Sequence, residues 1–173
     1  MIELEAHDHT HCIDHVLSTA EEICQKRGVR LTEQRKSVLE VLAASHVPSS
    51  AYDILDRLNR IRKDKGEAAL APVAIYRVLE FLMQNGIIHR IESRNAYVAC
   101  THQAGDHGDV TIFLLCDQCG RAGEFQSKSL SGLIETIAAK VQFQANAPVL
   151  EIRGTCAECR SFPAGDEESL PAS

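Results

Sequence analysis

The sequence predicts an α+β fold in two units: an N-terminal head of four helices closed by a β-hairpin, and a smaller C-terminal α/β unit. Three observations carry that expectation. Residues 15–100 show apolar positions at helical spacing in four successive stretches, followed by two short β-like runs. Residues 110–160 change periodicity and read as strand, strand, helix, strand. Two Cys-x-x-Cys pairs, Cys116-Asp117-Gln118-Cys119 and Cys156-Ala157-Glu158-Cys159, bracket that second unit with 36 residues between them. Each pair can present two thiolates to one ion, and zinc takes four ligands in a tetrahedron, so the four cysteines read as a structural zinc site. A disulfide or a redox motif is the competing reading of either pair alone.

The first 14 residues include His7, His9, His11 and Cys12 and are expected to form a disordered, His-containing terminus. From His15 the residues Val16, Leu17, Ala20, Ile23 and Cys24 recur at helical spacing, which makes Cys24 a small core residue; Gly28 ends this helix. Thr32 is an N-cap for a second helix to about Ser45, with Val38, Leu39, Val41 and Leu42 inward. Ser50 and Asp53 resemble a capping box for a third helix to about Arg62, whose stripe is Ile54, Leu55, Leu58 and Ile61. Pro72 opens a fourth helix that stops before Gly86, with Val73, Ile75, Val78, Leu79 and Leu82 buried. Tyr76 and Arg77 are then left facing elsewhere.

Ile87–Ile91 and Ala96–Cys100 follow as two short strands joined through Glu92-Ser93-Arg94-Asn95. Helices with a helix–turn–helix among them and then a hairpin are in the order of a winged helix. Residues 101–109 are polar and glycine-containing, as a hinge would be. Strands are expected at Val110–Leu115, Arg121–Gln126 and Val149–Gly154, with an amphipathic helix at Leu130–Phe143. Zinc on the four cysteines would tie the last strand to the opening corner of the sheet, which a unit of 110–160 needs given its small core. Residues 161–173 are expected to be a disordered tail.

Composition narrows the function. No run approaches the roughly 18–20 apolar residues of a membrane helix, and the acidic opening Met1-Ile2-Glu3-Leu4-Glu5 has no signal-like apolar core. Seven cysteines in such a chain point to reduced thiols and metal in the cytoplasm. The net charge of −6 is uneven: residues 16–90 carry twelve Lys/Arg against nine Asp/Glu, residues 91–173 six against eleven. A mildly basic head on an acidic partner unit fits a phosphate-facing module. No nucleophile motif, phosphate-cradling glycine loop or deaminase signature occurs, so neither an enzyme nor a small-molecule substrate is expected.

A second constellation is spread more widely. His89, Cys100, His107 and Glu124 together offer two imidazoles, one thiolate and one carboxylate, a donor set that suits tetrahedral zinc. Each of the four also reads as an ordinary surface or satisfied polar group, and spacing alone leaves the set open.

Beyond these readings, Arg30-Leu31-Thr32-Glu33-Gln34-Arg35, Ala51-Tyr52-Asp53-Ile54-Leu55, Ile75-Tyr76-Arg77-Val78-Leu79-Glu80-Phe81-Leu82, Tyr97-Val98-Ala99-Cys100 and Cys116-Asp117-Gln118-Cys119-Gly120 together resemble the ferric uptake regulator superfamily, its zinc uptake branch above all. The resemblance spans roughly residues 15–160. It implies an N-terminal winged-helix DNA-binding domain and a C-terminal dimerisation domain with the four-cysteine zinc site. It places the regulatory zinc ligands on His89, Cys100, His107 and Glu124, giving two zinc ions per protomer. It also implies a homodimer that binds palindromic double-stranded operator DNA as a zinc-responsive repressor of zinc uptake genes, and leaves open whether dimers form a higher oligomer. Arg77 would read a base, while Tyr76, Arg35, Thr32 and Tyr52 would contact backbone or thymine methyls.

Some positions depart from the pattern. The hinge Thr101–Asp109 lacks the His-His-x-His of iron-sensing members, and Gln144-Ala145-Asn146-Ala147 replaces the cluster they carry before the second knuckle. Ala74 stands where members often have Thr, which removes one expected DNA contact. Asp106, Asp109 or His102 could take the place of His107. The alternatives are an iron, manganese or peroxide sensor of the same superfamily, or, in another class, a redox-switched zinc protein.

Overall fold

The structure, a computed structural model, describes residues 10–100, 110–146 and 148–161 of the 173-residue chain. Four helices, α1 (Thr10–Lys26), α2 (Glu33–Ala43), α3 (Ala51–Asp64) and α4 (Pro72–Gln84), precede an antiparallel hairpin of β1 (Ile88–Ile91) and β2 (Ala96–Ala99). The predicted stripes meet in one core, where Leu39, Ile54, Ile75, Leu79 and Leu82 are fully buried and Cys24 packs among them.

Local signals act where they were expected. The Ser50 hydroxyl accepts from the Asp53 N–H at 3.2 Å while the Asp53 carboxylate accepts from the Ser50 N–H at 3.1 Å, closing the box that starts α3. Gly28 and Gly86 take left-handed φ of +65° and +68°, and the amides after them turn back: Val29 N–H bonds the Cys24 carbonyl and Ile87 N–H the Leu82 carbonyl.

Other expectations are corrected. The helix expected from His15 begins at Thr10, because Ile13 extends the stripe of Val16 and Ala20 onto the core. Residues 10–14 are therefore helical; residues 1–9 of the expected disordered terminus, like the tail 162–173, lie outside the described residues. Thr32 has the extended N-cap backbone but its side chain makes no capping bond. Ile61 and Val73, expected inside, are 45% and 57% exposed, each in a terminal turn of its helix.

In the C-terminal unit β3 (Val110–Cys116) is the central strand, antiparallel to β4 (Ala122–Ser127) and parallel to β5 (Val149–Gly154), and α5 (Lys128–Lys140) connects the two edges. α5 stops before the expected Phe143. Gln142 adopts φ +54° and the Phe143 N–H bonds the Ala138 carbonyl, the closure seen at the two glycines but built on a glutamine. A left-handed residue other than glycine costs about 1–2 kcal/mol and leaves no compositional sign. The five-residue α6 (Ala157–Ser161) is too short to show a period.

The hairpin, the wing of the head, lies on the sheet. Side chains two apart on a strand share a face, so His89 and Ile91 on β1 and Val98 on β2 point the same way, toward β3. Ile91, Phe113 and Leu115 are buried against one another, with Val98 and Ala122 packed on them. Replacing Phe113, which has no exposed surface, by Ala should cost about 3–5 kcal/mol of stability. A lowered urea midpoint with an unchanged slope would show it; an unchanged midpoint would contradict this packing.

Candidate metal centres and nucleic-acid interface

The four knuckle cysteines converge. Cys116 ends β3, Cys119 follows in a turn closed by the Gly120 N–H on the Cys116 carbonyl at 3.1 Å, and Gly120 itself sits at φ +77°, where only glycine is unstrained. Parallel pairing sets Gly154 beside Cys116 and so delivers Cys156, just ahead of α6, and Cys159 within it to the same corner. The four sulfurs lie within 4.8 Å of one another, and Cys119 Sγ and Cys156 Sγ are 3.9 Å apart. A disulfide needs about 2.05 Å, whereas sulfurs around one zinc at about 2.3 Å stand about 3.8 Å apart. The donor set and spacing fit zinc.

The sulfurs have unequal proton affinities. Burial opposes ionisation of Cys116, but the N–H groups of Cys156, Cys119 and Gln118 outweigh it and draw its thiol down to about 6. The neighbouring Cys156 sulfur pushes Cys159 up to about 12, and burial raises Cys119. Arg121, ion-paired with Glu158, places a cation beside the cluster.

The second set forms between the wing and the sheet. Cys100 lies two residues past Val98 and thus on the face of His89, held there by its N–H on the Ile87 carbonyl at 3.0 Å. Glu124 of β4 stands opposite Phe113 of β3 and shares its face. Glu124 Oε1 is 3.0 Å from His89 Nε2 and 3.7 Å from Cys100 Sγ, and the three donor atoms form one group within 4.8 Å. Around a tetrahedral zinc those edges would be about 3.3 and 3.5 Å. Glu124 is 5% exposed and Cys100 6%; a carboxylate so deeply buried is costly without a cationic partner. The His89 ring rests against Phe113, centroids 5.4 Å apart. The fourth residue of the expected set, His107, lies outside the described residues, as do His102, Asp106 and Asp109.

The residues expected on DNA divide. Tyr52, Tyr76 and Arg77 are exposed, and the hydroxyls of Tyr52 and Tyr76 are hydrogen-bonding neighbours, so α3 and α4 present them together. Arg35 is half-buried: its guanidinium lies 3.2 Å from the centroid of the Phe81 ring and donates to the Arg30 carbonyl, bracing α2 against α4. Thr32 is half-buried at the entry to α2. Sequence reasoning passed over Phe113, the floor under His89, which only strand register reveals.

In metal-free protein the fold favours the ionised form of Cys116. Its contribution to stability is complete above the ordinary thiol range and is lost as pH falls through about 6. Thiolate absorbance should therefore show a step near that pH that Cys116→Ser removes, and zinc added at neutral pH should release protons, from Cys159 and Cys119 above all. Four thiols titrating together in the ordinary range would contradict this arrangement.

The ferric uptake regulator family model matches residues 26–153. The zinc uptake regulation protein of Escherichia coli (strain K12) is 37% identical over 144 residues, 83% of this chain and 81% of that protein. A solved zinc uptake regulator complexed with zinc and DNA is 36% identical, with a TM-score of 0.75 over 86% of this chain and 95% of its own. The holo form of XcZur is 37% identical with a TM-score of 0.73 over 86% and 99%, while its apo form, 38% identical over 87% and 99%, reaches only 0.50. With its winged head, three-stranded sheet and two convergent donor clusters, this chain belongs to the ferric uptake regulator family.

Proposed function

We propose that this chain is a zinc-responsive transcriptional repressor, a regulator and not a catalyst. It binds palindromic operator DNA as a cytoplasmic homodimer and controls zinc uptake genes. The observation that carries the reading is the meeting of His89 and Cys100 from the head with Glu124 from the sheet, three donors on two units that must sit at one angle to converge. The names of the relatives support it, since the zinc uptake regulator solved with DNA is among the proteins this chain resembles. The better fit to holo than to apo XcZur supports reading the present angle between head and sheet as the metal-bound one.

Two zinc ions per protomer follow. Cys116, Cys119, Cys156 and Cys159 hold the structural ion; His89, Cys100 and Glu124 hold the regulatory one, with His107 proposed as the fourth ligand. A bound zinc ion supplies the positive charge that makes a buried carboxylate and thiolate stable side by side. A thiolate in the set favours zinc over iron, which more often takes nitrogen and oxygen alone. When the three donors are drawn together the wing is fixed on the sheet, and the pair of heads in a dimer acquires one spacing. Operator and zinc therefore raise each other's affinity by the same factor.

Arg77 is proposed to read a base from the major groove, with Tyr76 and Tyr52 beside it on backbone or thymine methyls. Thr32 and Arg35 at the entry to α2 would reach phosphate, Arg35 while keeping its place on Phe81. The dimer is supported by the apolar side chains left uncovered on the C-terminal unit: Leu133, Ile137, Val141, Phe143, Val149 and Ile152 are 49–73% exposed. A monomer seldom leaves so much apolar surface in water.

A gel shift on candidate operators across buffered zinc tests the reading. Wild-type protein should carry two zinc ions by native mass spectrometry and bind only when both are present. Cys100→Ser should keep one zinc and the dimer but lose operator binding, and Arg77→Ala should weaken it by about 1–3 kcal/mol. Operator binding driven by Fe(II) and not by zinc would overturn the proposal.

A further inference from the structure

We propose that Arg94 and Glu151 are positioning residues that latch the wing onto the first cysteine knuckle and β5, so that the four-cysteine corner helps to set the head angle as well as closing its own unit. The inference rests on the function just proposed, since it concerns what holds His89 and Cys100 over Glu124.

The latch lies at the tip of the wing. Between β1 and β2 a short 3-10 turn, Glu92–Arg94, passes into Asn95 at φ +46°. The turn faces the C-terminal unit. Arg94 Nη1 donates to the Gly120 carbonyl at 2.5 Å and Nη2 to the Cys116 carbonyl at 2.8 Å, with Asp117 Oδ1 3.8 Å away. Both carbonyls belong to the first knuckle, and the Cys116 carbonyl also closes that knuckle by accepting from Gly120 N–H. A planar guanidinium can reach both at once only while the knuckle keeps its turn.

Glu151 grips the same turn from the other side. Its two carboxylate oxygens accept from the N–H groups of Glu92 at 2.6 Å and Ser93 at 3.2 Å. Burial works against its charge, but the Ser93 side chain and these two amides hold its carboxyl below the usual range. β5 is tied to the knuckle in turn, as Arg153 Nε donates to Asp117 Oδ1 at 3.0 Å. Each of these bonds is charge-assisted, the stronger class.

The geometry is that of a lever with two ends. In the hairpin, Ile88 pairs with Ala99 at the end next to Cys100, and Ile91 with Ala96 at the tip. The apolar patch of Ile91, Val98 and Phe113 lies between the donor cluster and the latch. With the tip released, the wing can pivot on the patch, and a smaller share of molecules holds His89 and Cys100 against Glu124. Apparent zinc affinity falls by that share.

The test uses the full-length dimer with its first zinc in place. Second-site zinc affinity is measured by chelator competition for wild type, Arg94→Ala, Arg94→Lys, Glu151→Ala and Glu151→Gln. Both alanine variants should keep one zinc per chain and bind the second about tenfold more weakly. Arg94→Lys should recover little of the loss, because an ammonium on its shorter stem lacks the fixed fork that sets two separate nitrogens on the two carbonyls. Glu151→Gln, keeping one acceptor oxygen, should fall between wild type and Glu151→Ala. Wild-type affinity in both alanine variants would overturn the latch; so would loss of the first zinc in Arg94→Ala with second-site affinity intact, which would make Arg94 a prop for the knuckle alone. If wild-type protein takes up no second zinc, the function proposed above fails. The latch is then decided by amide exchange along β1 and β2, which Arg94→Ala speeds if the latch exists and leaves unchanged if it does not.

Discussion

The contact of the wing with the C-terminal sheet is the constraint on which the rest depends. Ile91 and Val98 on one side, Phe113 and Leu115 on the other, make a small apolar seam between the two units. The seam is non-directional and by itself fixes no angle. Direction comes from polar groups at its two ends. At one end His89, Cys100 and Glu124 meet over Phe113; at the other Arg94 and Glu151 bond the knuckle and the wing tip.

The two donor clusters differ in what they demand of the fold. The four-cysteine corner draws every donor from one unit, and strand pairing brings Gly154 alongside Cys116 whatever the head does. It closes a unit with little core of its own. The second cluster draws its donors from two units, so its completeness depends on their relative position. It also buries the Glu124 carboxylate, 3.0 Å from His89 Nε2, and a buried charge is costly unless it is paired. The first cluster is complete within one unit, whereas the second is complete only while head and sheet keep their places.

Much of this was legible in the residues. Gly28 and Gly86, the Ser50 and Asp53 box and Pro72 mark helix ends by chemistry that acts within a few residues, and the helices end there. The cysteine knuckles carry their spacing openly. Signals failed where a distant neighbour or a strained backbone took over: the end of α5 on left-handed Gln142 and the helical start at Thr10 drawn in by Ile13. Arg35 shows the same limit. It lies within a family-like motif, yet its cation is stacked on Phe81, 46 residues along.

By itself the sequence determined the order of the main elements and the spacing of the two cysteine knuckles, and its resemblance singled out His89, Cys100 and Glu124 as one set. These follow from local periodicity, capping chemistry and fixed ligand spacing, all properties of short stretches of chain. Only the tertiary structure decided that Cys100 and Glu124, 24 residues apart, approach to 3.7 Å, that Phe113 floors the site, and that Arg94 at the wing tip reaches carbonyls of the first knuckle. Those facts depend on strand register and on how two units dock. Register is set by which face of each strand is buried, and docking by a seam of side chains from both units, neither of which any single stretch of residues contains.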